Sequence, residues 1–236
     1  MTEKNETRIN EWFVPRFGPT KFRIFVGLLF LPYTAMCVSF TVIGSLLADN
    51  ILWERVGAIA LIYVLALGIS AHAADTLGSR KLKPWGSHFS RNQLLLLMAG
   101  ALAISYGIGI YFIVFFVPLL AMIAVLEGFF LVAYNFEIFS GRFHNDFWFV
   151  VSWGVLPTLA GFIMQTNSVN SLPLAVAIGT GLVSYLEIRM SRPYKELKRK
   201  ASQHESAKKL EKGLKVISLG TVAIALGFVI YRIIFS

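Results

Sequence analysis

One cysteine, Cys37, in 236 residues rules out a disulfide framework, and its place in an apolar run makes it a poor nucleophile or metal ligand. Histidine is scarce too. The four present show no HxxxH or HExxH spacing, so a hydrolytic metal site built on His72, His88 and His144 has no pattern behind it. Charged residues are only 15% of the chain and hydrophobic ones 56%, with a mean hydropathy of +0.66. Too little polar surface remains to wrap a soluble globule. No lysine lies within 216–231, which argues against a retinal-type Schiff base in the last apolar run. The first twenty residues lack an apolar stretch and a cleavage site, so no signal peptide is expected and the first membrane helix should act as the insertion signal.

What is abundant is long apolar runs. A bilayer core needs about 20 apolar residues per helix. Windows meeting that length fall at 22–47, 53–75, 92–111, 113–136, 147–165, 170–188 and 214–235. They predict an all-α polytopic bundle of seven transmembrane helices forming a single domain, 1–236. The stretch from Asn92 to Phe139 holds two of these helices, with Gly107, Gly109 and Pro118 marking the reversal.

Net charge is +9, and of the 22 Lys and Arg residues only Arg55 and Arg232 fall on the second side of this topology. The positive-inside rule then places the N-terminus in the cytoplasm and the C-terminus outside. The same distribution assigns the basicity to topology and to anionic lipid, at about 1 kcal/mol per residue near the surface, and not to nucleic acid. The basic segment 189–215 is read as a cytoplasmic loop, either a helix lying on the headgroups or a solvated linker. Ionisable groups gather at one end instead of crossing the bilayer, and no internal repeat is evident. Both features disfavour an ion carrier or a typical secondary transporter.

The polar residues that membrane insertion does not explain all fall on the predicted cytoplasmic side. His72 and Asp75 close the second helix on a shared face. Glu127 sits inside the fourth helix, above Tyr134, Asn135 and Glu137, and the next loop adds Arg142, His144 and Asp146. Glu187, Arg189 and Arg192 leave the sixth helix. Such a convergence predicts a polar cavity opening inward, because charge near lipid is costly and is retained mainly where it is used. Two readings stand for single members. Asp75 is either a ligand for a cation or a helix-end carboxylate met by Arg80. Glu127 is either a pocket group or a hydrogen-bonding link between helices.

Three stretches resemble the UbiA-type superfamily of intramembrane prenyltransferases: GLLFLPYTAMCVSFTVIGSLLA, GISAHAADTLGSRKLKPWG and FVVSWGVLPTLAGFIMQTNSV. They resemble the first helix, the segment that carries the first Asp-rich motif, and the fifth helix. At the motif, Ala71, His72, Asp75 and Ser79 stand where the family has Asn and three Asp. The second acidic motif is replaced by YLEIRMSRPYKEL, with Glu187 as its nearest carboxylate. The family usually has nine helices, so two are missing.

The resemblance implies a prenyl diphosphate or other isoprenoid lipid as ligand, and a prokaryotic plasma membrane as the setting. It implies Mg²⁺ on Asp75 and Glu187, with Arg80, Lys81, Arg189 and Arg192 clamping phosphate. Glu127, Tyr134 and Asn135 would lie deeper, around a carbocation or an acceptor. Prenyl transfer, terpene cyclisation and non-catalytic isoprenoid binding all fit this frame.

Overall fold

The computed structural model describes residues 8–78, 88–200 and 204–235. Among them there is no strand, and six helices are long and apolar enough to cross a membrane. In chain order the main helices are α1 (Thr20–Leu46), α2 (Trp53–Gly78), α3 (Arg91–Phe115), α4 (Leu120–Asn135), α5 (Asp146–Thr166), α6 (Ser171–Lys200) and α7 (His204–Phe235). The helix outside the six is α4. Its 16 residues span about 24 Å at 1.5 Å per residue, short of a hydrocarbon core of about 30 Å.

Burial runs opposite to that of a soluble bundle. The most apolar windows of α1 and α5 are 61% and 56% buried, against 17% in α3 and 22% in α7. Thus α1 and α5 form the centre, and α3 and α7 present Leu96, Val114 and Ile224 outward, as suits helices whose solvent is lipid. At the centre the two backbones meet directly. A Cβ on Gly44 would strike the Thr158 carbonyl, and one on Gly161 the Thr41 carbonyl. This is the small-residue route to close helix packing in membranes. Ser45 Oγ joins the crossing, 3.1 Å from the Gly161 carbonyl. Between α5 and α6, the hydroxyls of Thr158 and Thr180 lie 2.7 Å apart, and Thr180 donates to the Gly154 carbonyl at 2.9 Å.

Several boundaries differ from those expected. The reversal after α3 lies at 116–119, so Pro118 is in the turn while Gly107 and Gly109 stay inside the helix. The segment expected as a loop at 189–215 is largely the continuation of α6, through Pro193, and the start of α7. The proline removes one backbone donor, but burial holds the extension together: Tyr194 and Leu214 are fully buried in a cluster with Ala207, Val14 and Leu28. At 30 residues, α6 is about 45 Å long and outreaches the hydrocarbon core.

The N-terminal segment packs on this extension. The Tyr194 hydroxyl donates to Glu11 at 2.7 Å, with Glu211 a second acceptor at 3.1 Å, and Arg23 donates to the Pro15 and Ile9 carbonyls. The opposite end of the bundle is latched through backbone groups. Gln165 exchanges two bonds with Leu52, Asn167 accepts from the Leu119 amide, and Arg55 and Arg232 donate to carbonyls of α5 and of the 47–52 turn. The two cations isolated in the sequence thus satisfy carbonyls at helix ends.

Candidate functional site

Helix α2 changes register on its way to the polar end. Residues Val64–Ala71 form π-helical turns, after which His72–Gly78 is α-helical again. Ser70 Oγ bonds within this stretch to the Leu65 carbonyl at 3.0 Å and across to the Met98 carbonyl of α3 at 3.0 Å. Helix α5 carries a second π segment, Val151–Val155. Such bulges re-aim the side chains that follow and recur at functional sites. Here they turn Ala71, His72, Asp75 and Trp153 to the same space.

That space is a cavity of about 240 Å³. Its charged lining is Asp75 of α2, Glu187, Arg192 and Lys195 of α6, and Arg8 of the N-terminal segment. Three cations therefore face two carboxylates. Its walls are aromatic: Phe30, Tyr33, Tyr134, Phe149 and Trp153. Phe30 breaks α1 with left-handed backbone angles, φ 45° and ψ 48°, a conformation bulky residues rarely adopt. Its ring stacks on His72 at 4.6 Å, under the Arg8 guanidinium at 4.6 Å and the Lys195 ammonium at 5.9 Å. Arg8 is held by Glu11 at 3.2 Å.

Both imidazoles of the cavity are set in the same way. His72 Nδ1 lies 2.9 Å from the Gly68 carbonyl, and His144 Nδ1 lies 2.9 Å from the Tyr134 carbonyl. A carbonyl can only accept, so Nδ1 carries the proton and Nε2 is the acceptor nitrogen in each neutral ring. His144 is also stacked on Tyr134 at 4.3 Å. A cavity so built can grip an anion with Arg and Lys donors, shelter a cation between aromatic faces, and accept a proton on imidazole.

The residues predicted for this site divide into several groups. His72, Asp75, Tyr134, Asn135, His144, Glu187 and Arg192 line the cavity. Asp146 stands behind it, paired with Arg192 at 2.8 Å. Glu137 and Arg142 are exposed and outside the lining, and Arg189 turns outward to lie over Tyr185 at 5.9 Å. Arg80 and Lys81 lie outside the described residues. Glu127 faces another space, an apolar cavity of about 70 Å³ between α2, α3 and α4. There its Oε1 accepts from the Tyr63 hydroxyl at 2.9 Å. No group of three or more His, Cys, Asp or Glu residues is placed to hold a metal ion among the described residues.

Two cationic members were not expected. Lys195 stands two helical turns beyond Glu187, with Ser191 between them, so the i, i+4, i+8 stripe was available in the sequence. Arg8 gave no local signal, because only the folding-back of the N-terminal segment brings it in.

No protein-family model matches this chain, and comparison with curated proteins and with solved structures finds no match either. The fold and the cavity define the class without them: an α-helical protein with membrane-length helices and a charged, aromatic-walled chamber at one end.

Proposed function

We propose that the protein is an intramembrane isoprenoid enzyme resembling UbiA-type prenyltransferases, acting on a prenyl diphosphate at the cytoplasmic face of a plasma membrane, with prokaryotic membranes the setting that the resemblance favours. The carrying observation is the 240 Å³ cavity, in which Arg8, Arg192 and Lys195 stand opposite aromatic walls. Seven crossings, with the N-terminus inside, agree with the charge bias of the connecting segments. On this topology a C-terminal tag is labelled from outside intact cells, and labelling only after permeabilisation would reverse it.

The chain's own groups have separable roles. Arg8, Arg192 and Lys195 bind the diphosphate. As the C1–O bond breaks, its electron pair leaves with diphosphate, and the allylic cation that remains lies against Phe30, Trp153 and Tyr33, which exclude water. An acceptor nucleophile then bonds to C1, and its proton passes to Nε2 of His72 or His144. Asp75 and Glu187 are the carboxylates for Mg²⁺. Two carboxylates fit an ion that arrives with substrate phosphates better than a resident metal site, and when bound that ion would neutralise the departing diphosphate.

Terpene cyclisation is the second reading, since the same cavity serves a chain that closes on itself. Non-catalytic isoprenoid binding is the third. The test is pyrophosphate release from prenyl diphosphates of several lengths by the protein in nanodiscs. Release is expected, with Asp75→Asn lowering it about tenfold, equivalent to about 1.4 kcal/mol. Product analysis then separates a prenylated acceptor from a cyclised hydrocarbon. Tight isoprenoid retention without release at any length would favour the binder.

A further inference from the structure

The apolar cavity around Glu127 lies apart from the charged chamber and is explained by none of the roles above. It sits between α2, α3 and α4, lined by Tyr63, Leu102, Ile110, Ile123 and Leu131. It opens on the lipid-facing side of α3, where Ile110 and Tyr106 are exposed. Three hydroxyls border it and each already has an acceptor. Tyr63 donates to Glu127 Oε1, Ser105 to the Leu102 carbonyl at 3.0 Å, and Tyr106 to the Ala124 carbonyl at 2.9 Å. The exception is Glu127 Oε2, which is buried and has no hydrogen-bond partner. In a hydrocarbon setting an unmet carboxyl oxygen is expensive.

We infer that this cavity is a second binding site, reached from the bilayer, for the hydroxyl end of a long-chain aliphatic alcohol. Three features select that chemistry. The site offers one unmet polar atom, so it suits a molecule with a single polar group. A hydroxyl both donates and accepts, so it matches Oε2 whether or not the carboxyl carries a proton. No cation lines the cavity, so a phosphate or carboxylate headgroup would meet Glu127 with nothing to offset it. The volume of about 70 Å³ is on the order of two water volumes. It admits the hydroxyl and the first carbons, while the rest of the chain lies in lipid along α3 and α4. This site stands or falls independently of the diphosphate reading.

The test uses the full chain in nanodiscs with a diazirine analogue of hexadecanol, mapping photolabelled peptides. Labels are expected within 102–113 and 120–131. Hexadecanol or geranylgeraniol should compete, and the stronger of the two identifies a fatty or an isoprenoid source. Hexadecane should need about fivefold more for the same effect, the worth of one neutral hydrogen bond. Glu127→Leu should reduce labelling at limiting probe by a similar factor. Gly109→Leu provides a second variant with Glu127 intact. A Cβ there meets nothing within 4 Å, so the added side chain occupies the slot without displacing backbone, and labelling should again fall. Equal competition by hexadecane, labelling untouched by both variants, or displacement by hexadecylamine at tenfold lower concentration than hexadecanol would overturn the assignment.

Discussion

Lys195→Met is expected to weaken prenyl diphosphate binding about 100-fold, whereas Arg189→Met, six residues earlier on the same helix, should change it less than threefold. The contrast follows from helix geometry. Lys195 lines the cavity with Arg192 and Arg8, while Arg189 is exposed and lies over Tyr185. Both lysine and arginine can meet phosphate, but only a donor that faces the chamber does so out of bulk water. Charge-assisted hydrogen bonds contribute about 1.5–3 kcal/mol each, and 2.7 kcal/mol is about a 100-fold change in affinity. Removing Lys195 also leaves Asp75 and Glu187 opposed by two cations instead of three, so the carboxylates repel the incoming anion more strongly. Lys195→Arg should retain most of the binding. Titration of a fluorescent prenyl diphosphate into nanodisc-held protein gives the readout. Equal losses from Lys195→Met and Arg189→Met would place the phosphate outside the cavity.

That pair of residues also marks how far the sequence carried. Apolar run length needed only the order of residues, and it located four of the helices to within a few residues, while α4, α6 and α7 each differ by more at one end. The convergence of His72, Asp75, Tyr134, Asn135, His144, Glu187 and Arg192 was legible too, because helices alternating in direction bring these loops and helix ends to one side. What was not legible is which way each residue points. The π segments at Val64–Ala71 and Val151–Val155 rotate everything beyond them, and no periodicity rule anticipates a turn of different pitch. The resemblance made Arg189 a phosphate clamp, yet it stands two residues beyond Glu187, about 200° of rotation around the helix. Arg8 depends on the N-terminal segment folding back over α6, a tertiary event anchored by Tyr194 and Glu11, and Phe30 on a left-handed break in α1. Glu127 was grouped with Tyr134 because both lie on α4, but two turns of helix separate them and a different cavity receives each.

The second large effect concerns the frame that holds the chamber. Gly161→Leu should prevent accumulation of monodisperse, folded protein, and Gly44→Leu should do the same. In each case the new Cβ falls on the backbone of the facing helix, the Thr41 carbonyl for Gly161 and the Thr158 carbonyl for Gly44. A side chain could swing aside, but a carbonyl engaged in its own helix cannot, so α1 and α5 must separate. Separation breaks the Ser45–Gly161 bond and loosens two helices more than half buried in their apolar windows. A cost of about 3 kcal/mol or more is expected, at the upper end for overpacking. Gly161→Ala carries the same Cβ and should be nearly as damaging, which distinguishes a backbone clash from a simple size effect. Gly220→Leu and Gly227→Leu on α7 are the controls. A Cβ at either meets nothing within 4 Å, and replacing glycine inside a helix gains up to about 1 kcal/mol in propensity. Those variants should match or slightly exceed the parent in thermal scans of detergent-solubilised protein. If Gly161→Ala melts with the parent, the close crossing of α1 and α5 is not what holds the cavity walls in place.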